Sequence, residues 1–197
     1  MLGMAFLLLL TACESSAVFR VVNVSSYPAY ARVEDGSQVT IPAGATYDFD
    51  IDTDTQSIFT GEVTKDVKVW LVGETYNLFD PDTGRFVDST WITVSAGKTL
   101  SAYLNPNRAS VKITNQSSQN IVSADIWQHG AINHLQMGTF ANIEPGESRF
   151  LRVPYPTGTA SFYYDVTLVA ENGANYTYGN SSNVLGKDQQ FHVIFTD

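Results

Sequence analysis

Four aspartates alternate along Asp48-Phe49-Asp50-Ile51-Asp52-Thr53-Asp54. In an extended strand, alternate residues share a face, with roughly 6.8 Å between their Cα atoms. Carboxylates held in such a row repel and raise one another's pKa unless a cation neutralises them. A hard cation such as Ca²⁺, which takes about six to eight oxygen ligands, would suit Asp48, Asp50, Asp52 and Asp54. Asp50-x-Asp52-x-Asp54 also has the opening spacing of a calcium loop, but Thr55 stands where such a loop turns on glycine and Gly61 where its bidentate acid belongs. The competing reading is a solvated acidic edge strand whose charges block edge-to-edge aggregation.

The other chemistry-bearing residues are aromatic. Strand alternation places Trp70 in phase with Lys68, and Trp91 with Thr93 and Ser95. It places Trp127 with Ser123 and Asp125, and Tyr103 with Ser101. All four therefore read as outward-facing, and exposed aromatics serve protein contacts or stack on sugar rings. The competing reading is that loops or a neighbouring domain cover them. His129 and His134 read as members of one loop, and His192 as an outer position of the last strand, with no third metal ligand nearby. No G-x-S-x-G elbow, Walker loop or G-x-G-x-x-G occurs. No catalytic residue is nominated, and the chain reads as a non-enzyme.

The elements carrying these residues are strands. From Val18 onward, short alternating segments are separated by turn residues, with no sustained helical period. The chain has 197 residues, 44% hydrophobic and 16% charged, enough apolar material for packed cores. Its formal charge of -9 offers no electrostatic footprint for nucleic acid. A single cysteine excludes an internal disulfide.

That cysteine sits in an informative place. The opening Met1-Leu2-Gly3-Met4-Ala5-Phe6-Leu7-Leu8-Leu9-Leu10 is apolar but too short to span a bilayer, which needs about 20 helical residues. It has the length of a signal-peptide core. Leu10-Thr11-Ala12-Cys13 resembles the lipobox of bacterial lipoproteins, although nothing basic precedes it as the family's n-region would have. The resemblance implies a signal peptide over 1–12, lipidation of Cys13, and a lipidated tether over 13–17. It also implies membrane attachment through the acyl chains. Glu14 in place of the family's inner-membrane retention aspartate leans the address towards the outer membrane, facing periplasm or exterior.

The chain also repeats itself. Asn23-Val24-Ser25-Ser26 recurs as Asn115-Gln116-Ser117-Ser118, and Ile41-Pro42-Ala43-Gly44 as Ile143-Glu144-Pro145-Gly146. Val69-Trp70-Leu71-Val72 recurs as Val166-Thr167-Leu168-Val169, with Glu74 and Glu171 at the same offset. Ala96-Gly97-Lys98 recurs as Leu185-Gly186-Lys187. The pairs keep their order, which points to a duplication with its boundary at Asn105-Pro106-Asn107. The expected architecture is all-β: two tandem antiparallel β-sandwich modules, immunoglobulin-like or transthyretin-like, over 18–105 and 108–197. The turn wording is similar to that of repeat modules in bacterial surface lipoproteins. Strands over Val67–Leu71 and Tyr164–Leu168 should face the cores, as should Leu100, Ala102 and Leu104 in the closing strand of the first copy. Arg149 takes an inward phase and must snorkel.

The sequence thus points to a lipid-anchored envelope protein acting as a non-catalytic protein-binding or structural module. The alternatives are a glycan-binding surface lipoprotein using Trp70, Trp91 or Trp127, and an unrecognised hydrolase.

Overall fold

The structure, a computed structural model, describes residues 14–56 and 61–197. Cys13 and the apolar leader lie outside the described residues. The first half contains β1 (Glu14–Asn23), β2 (Ala29–Val33), β3 (Val39–Ile41), β4 (Thr46–Gln56), β5 (Thr64–Gly73), β6 (Leu78–Asp80), β7 (Arg85–Val87), β8 (Ser89–Ser95) and β9 (Thr99–Leu104). The second contains β10 (Ala109–Asn115), β11 (Ile121–Gly130), β12 (His134–Ile143), β13 (Ser148–Val153), β14 (Phe162–Ala170), β15 (Asn175–Tyr178) and β16 (Gln190–Phe195).

The first half stacks a three-stranded sheet, β4-β1-β9, on a four-stranded sheet, β3-β2-β5-β8. The second repeats that order strand for strand, as β13-β10-β16 on β12-β11-β14-β15. A small β6-β7 hairpin is extra to the first copy. Each pair of sheets encloses its own apolar cluster. Phe19, Val21, Ile41, Val67, Val69, Leu71 and Leu104 fill the first, and Ile113, Ile126, Ile143, Tyr164, Val166, Leu168 and Phe195 the second. Burial alternates along β5 and β14 as a half-buried sheet requires.

Three expectations need correction. The sandwiches are not antiparallel throughout: β1 runs parallel to β9, and β10 to β16. The residues expected to form a tether after Cys13 belong to β1, where Ser16 pairs with Asp52 and Ala17 with Ile51. Ala17 is buried, because it fills the inner face opposite the second sheet. Leu100 is exposed rather than buried, since it lies near the start of β9, while Leu104 at the far end is in the core. Arg149 does snorkel, pairing with Ile113 but reaching Glu147 at 3.2 Å.

The recurring Asn-x-Ser-Ser turns out to be a buried amide plug. Asn23 and Asn115 are both fully buried. Asn23 Nδ2 donates to the carbonyls of Tyr27 and Ile41, and its Oδ1 accepts from the Ser25 amide and hydroxyl. Asn115 repeats each bond with Gln119, Ile143 and Ser117. The plug ties the β1–β2 and β10–β11 turns to the ends of β3 and β12. The nearby I-x-x-G turns close on Gly44 and Gly146, at φ 69° and 83°, a region a side chain rarely tolerates.

The outer face of β13-β10-β16 lies against one end of the first sandwich. Tyr30 stacks on Phe150 at 6.0 Å between ring centres. Glu74, only 1% exposed, accepts from Lys112 Nζ at 2.8 Å, Gln190 Nε2 at 2.6 Å and Tyr30 Oη at 3.1 Å. Burial, with the Glu74 charge beside it, pushes the Tyr30 phenol up to about 12, so it stays a donor. Arg152 reaches Asp88 at 2.9 Å. Asp188 accepts from the Ser26 hydroxyl at 2.8 Å and the Thr75 hydroxyl at 2.6 Å. The connection at 105–108 is pinned as well: Asn107 exchanges two bonds with the Asn77 backbone.

Candidate binding surfaces

The outer face of β3-β2-β5-β8 carries the two tryptophans of the first half. Strand register sets Arg32 opposite Trp70, and Lys68 opposite Trp91. Trp70 is half-buried beneath two cations, with the Arg32 guanidinium 4.0 Å and Lys68 Nζ 4.9 Å from its ring centre. Trp91 is 66% exposed. It stands on β8, the edge of its sheet, which pairs with β5 alone among the described residues. One row, Arg32–Trp70–Lys68–Trp91, thus runs diagonally across the sheet to an open edge. Beside it Thr93 donates to Asp66 at 2.6 Å.

The remaining predicted aromatics are not gathered there. Tyr103, 61% exposed, lies on β9 in the opposite sheet. Trp127 lies on β11 in the second half, half-buried between Gln136 and Asp165.

The aspartate row stays extended along β4, an edge strand, with all four residues exposed. Asp48 is already neutralised: Arg20 grips both its oxygens at 2.8 and 2.7 Å and holds the carboxyl below the usual range. The strand keeps the others apart instead of wrapping them round a point. Among the described residues, no group of three or more His, Cys, Asp or Glu is arranged to hold a metal ion.

An open groove of about 590 Å³ runs between the β3 and β4 edges. Tyr47 and Phe49 line it, edge to face at 4.7 Å, below Asp50, Asp52 and Lys65.

The histidines fall differently from expectation. His129 is the penultimate residue of β11 and His134 begins β12, so they are register partners on strands, not members of a loop. The Gly130 amide donates to the Asn133 carbonyl and closes the hairpin at 2.8 Å. His129 stacks on Tyr163 at 4.9 Å and sets Nε2 2.6 Å from Asp165 Oδ2, off the axis of a linear bond. Its Nδ1 faces Nδ1 of His134. A His–Asp pair is half of a nucleophile-activating arrangement, but here the second nitrogen meets an imidazole and not a hydroxyl. His192 meets Thr114 Oγ1 at 2.8 Å. Burial first, and then the Lys112 charge, lower its pKa. In sequence Glu74 stands out only as the counterpart of Glu171, and nothing marks Asp165; both matter through what folding brings beside them.

No family model and no curated protein matches the chain. Among solved structures it is similar to the Bacillus anthracis TIE protein, at 10% identity and a TM-score of 0.30, covering 93% of this chain and 34% of that one. It spans about a third of that protein's length. It is also similar to a DUF3823 family protein from Bacteroides ovatus, at 16% identity and 0.27, covering 85% and 96%. A third is the tip fimbrial protein of Porphyromonas gingivalis, at 8% identity and 0.28, covering 83% and 80%. Superpositions this loose transfer no function to this chain.

Proposed function

We propose that this chain is a lipid-anchored bacterial envelope protein that binds a protein partner, without catalysis, through the Trp91 side of its first sandwich. The observation that carries the reading is the exposed Trp91 on an open edge strand. β8 reads Ser89-Thr90-Trp91-Ile92-Thr93-Val94-Ser95, with no charge and no proline to discourage an added strand. A partner strand laid along β8 would gain backbone hydrogen bonds and place its own side chains against Trp91 and Lys68. Glycan stacking needs free ring faces, and Arg32 covers that of Trp70, leaving Trp91 alone. Attachment through Cys13 belongs to the same reading and rests on the Leu10-Thr11-Ala12-Cys13 resemblance.

The test is co-purification of partners from solubilised native envelopes with wild type, W91A and K68E. The expected result is a discrete partner lost from both variants while their melting temperatures stay near wild type. Equal capture by W91A would overturn the assignment. For the anchor, labelled palmitate should enter the wild type and not C13S.

A further inference from the structure

The two copies differ in the length of one hairpin. β3 stands in the place of β12: Ile41 pairs with Ala29 as Ile143 pairs with Ile121. β11 and β12 run for 10 residues each, whereas β2 has 5 and β3 has 3. In the second copy the long β12 lies against the edge of the other sheet, so close that a Cβ on Gly138 would come within 3.0 Å of Leu151. Phe49 holds the place of Leu151, opposite Phe19 as Leu151 is opposite Val111. In the first copy Phe49 lines the open groove instead, with Val33 and Val39 partly buried along it and Tyr47 41% exposed.

β4 bounds this groove and has a free edge, since it pairs with β1 alone among the described residues. A strand added along that edge alternates its side chains in step with those of β4. Its inward residues meet Tyr47, Phe49 and Ile51, so they must be apolar. Its outward residues meet Asp50 and Asp52, which form no ion pair among the described residues. Lys65 reaches only the Asp52 carbonyl and, at 4.0 Å, Glu34 on the opposite wall. Opposite charges facing across a strand pair attract and like charges repel, so a row that turns away acidic edges selects a basic one. We propose that the β4 edge and its groove bind an extended segment of another protein in which basic residues alternate with apolar ones. This surface is separate from the Trp91 edge, which lies on β8.

The experiment uses the full chain and reads fluorescence polarisation of a labelled peptide as long as β4, in which lysine alternates with isoleucine. Saturable binding of one peptide per chain is expected. Replacing its lysines by glutamate should weaken binding at least about tenfold, and the double variant D50K/D52K should reverse that preference. W91A should leave the affinity unchanged. An added strand turns only every other amide towards β4, so methylating one alternate set of peptide nitrogens should abolish binding and methylating the other should not. Equal behaviour of the two methylated peptides, or equal binding of a peptide with its alternation scrambled, would overturn the site in favour of ionic adsorption. Loss of binding in W91A would overturn it in favour of the β8 edge. A dimer of the chain alone, dispersed by D50K/D52K, would overturn the foreign segment in favour of a second copy.

Discussion

Glu74 and Lys112, one from each sandwich, meet at 2.8 Å with the carboxylate only 1% exposed and the ammonium side chain 20% exposed. Losing the cation leaves a buried charge with two neutral donors, whereas losing the carboxylate's charge leaves a lysine that reaches water. K112M is therefore expected to cost about 3 kcal/mol. E74Q should cost less. Urea unfolding of both variants checks the order, and equal small losses would contradict the buried ion pair.

The amide plugs supply a second expectation. N23A leaves the carbonyls of Tyr27, Ile41 and Pro42 and a serine amide without their partner, and N115A the carbonyls of Gln119 and Ile143 and a serine amide. A loss of about 2–3 kcal/mol is expected at either position. Because the plugs share every bond but that to Pro42, the two losses should be similar. Thermal melting of the two single variants measures this, and one neutral variant would contradict it.

The plugs also show what could be read without coordinates. Asn23 and Asn115 stood out as a repeat, and Val67, Val69, Leu71 and their counterparts stood out by alternation. Both signals are local. What escaped were pairings between distant segments. The parallel alignment of β1 with β9 leaves no mark on either strand's alternation. Glu74 stood out only as the counterpart of Glu171, and its burial was not legible, since its cover comes from Lys112 and Gln190 in the other half. His129 and His134 read as members of one loop, and Asp165 lies on a strand more than thirty residues away. The outward phase of Trp91 was legible; the cations over Trp70 needed the register of β2 on β5.

Calcium binding at the aspartate row is now expected to fail. Asp48 is engaged by Arg20, and Asp50, Asp52 and Asp54 stay spread along an extended edge. Millimolar calcium should leave the melting temperature unchanged. A clear rise, lost in D50N, would show that the strand can gather its carboxylates.

His192 supplies a pH dependence. Its folded pKa lies below the ordinary 6.5 because burial, and then Lys112, disfavour the cation, with Glu74 opposing them. As pH falls below 6.5 the unfolded chain takes up that proton first, so stability declines until the folded pKa is passed. H192Q should flatten this part of the stability–pH curve. An unchanged slope would mean that other groups set it.

The binding face is tested most directly by a photo-crosslinking side chain placed at Thr93, on the exposed face of β8 beside Trp91. The control position is Ser101 on the opposite sheet. Illumination in native envelopes should give a discrete adduct from Thr93, abolished by W91A, and none from Ser101. An adduct from Ser101 alone, or one from Thr93 indifferent to W91A, would contradict a partner bound at the Trp91 edge.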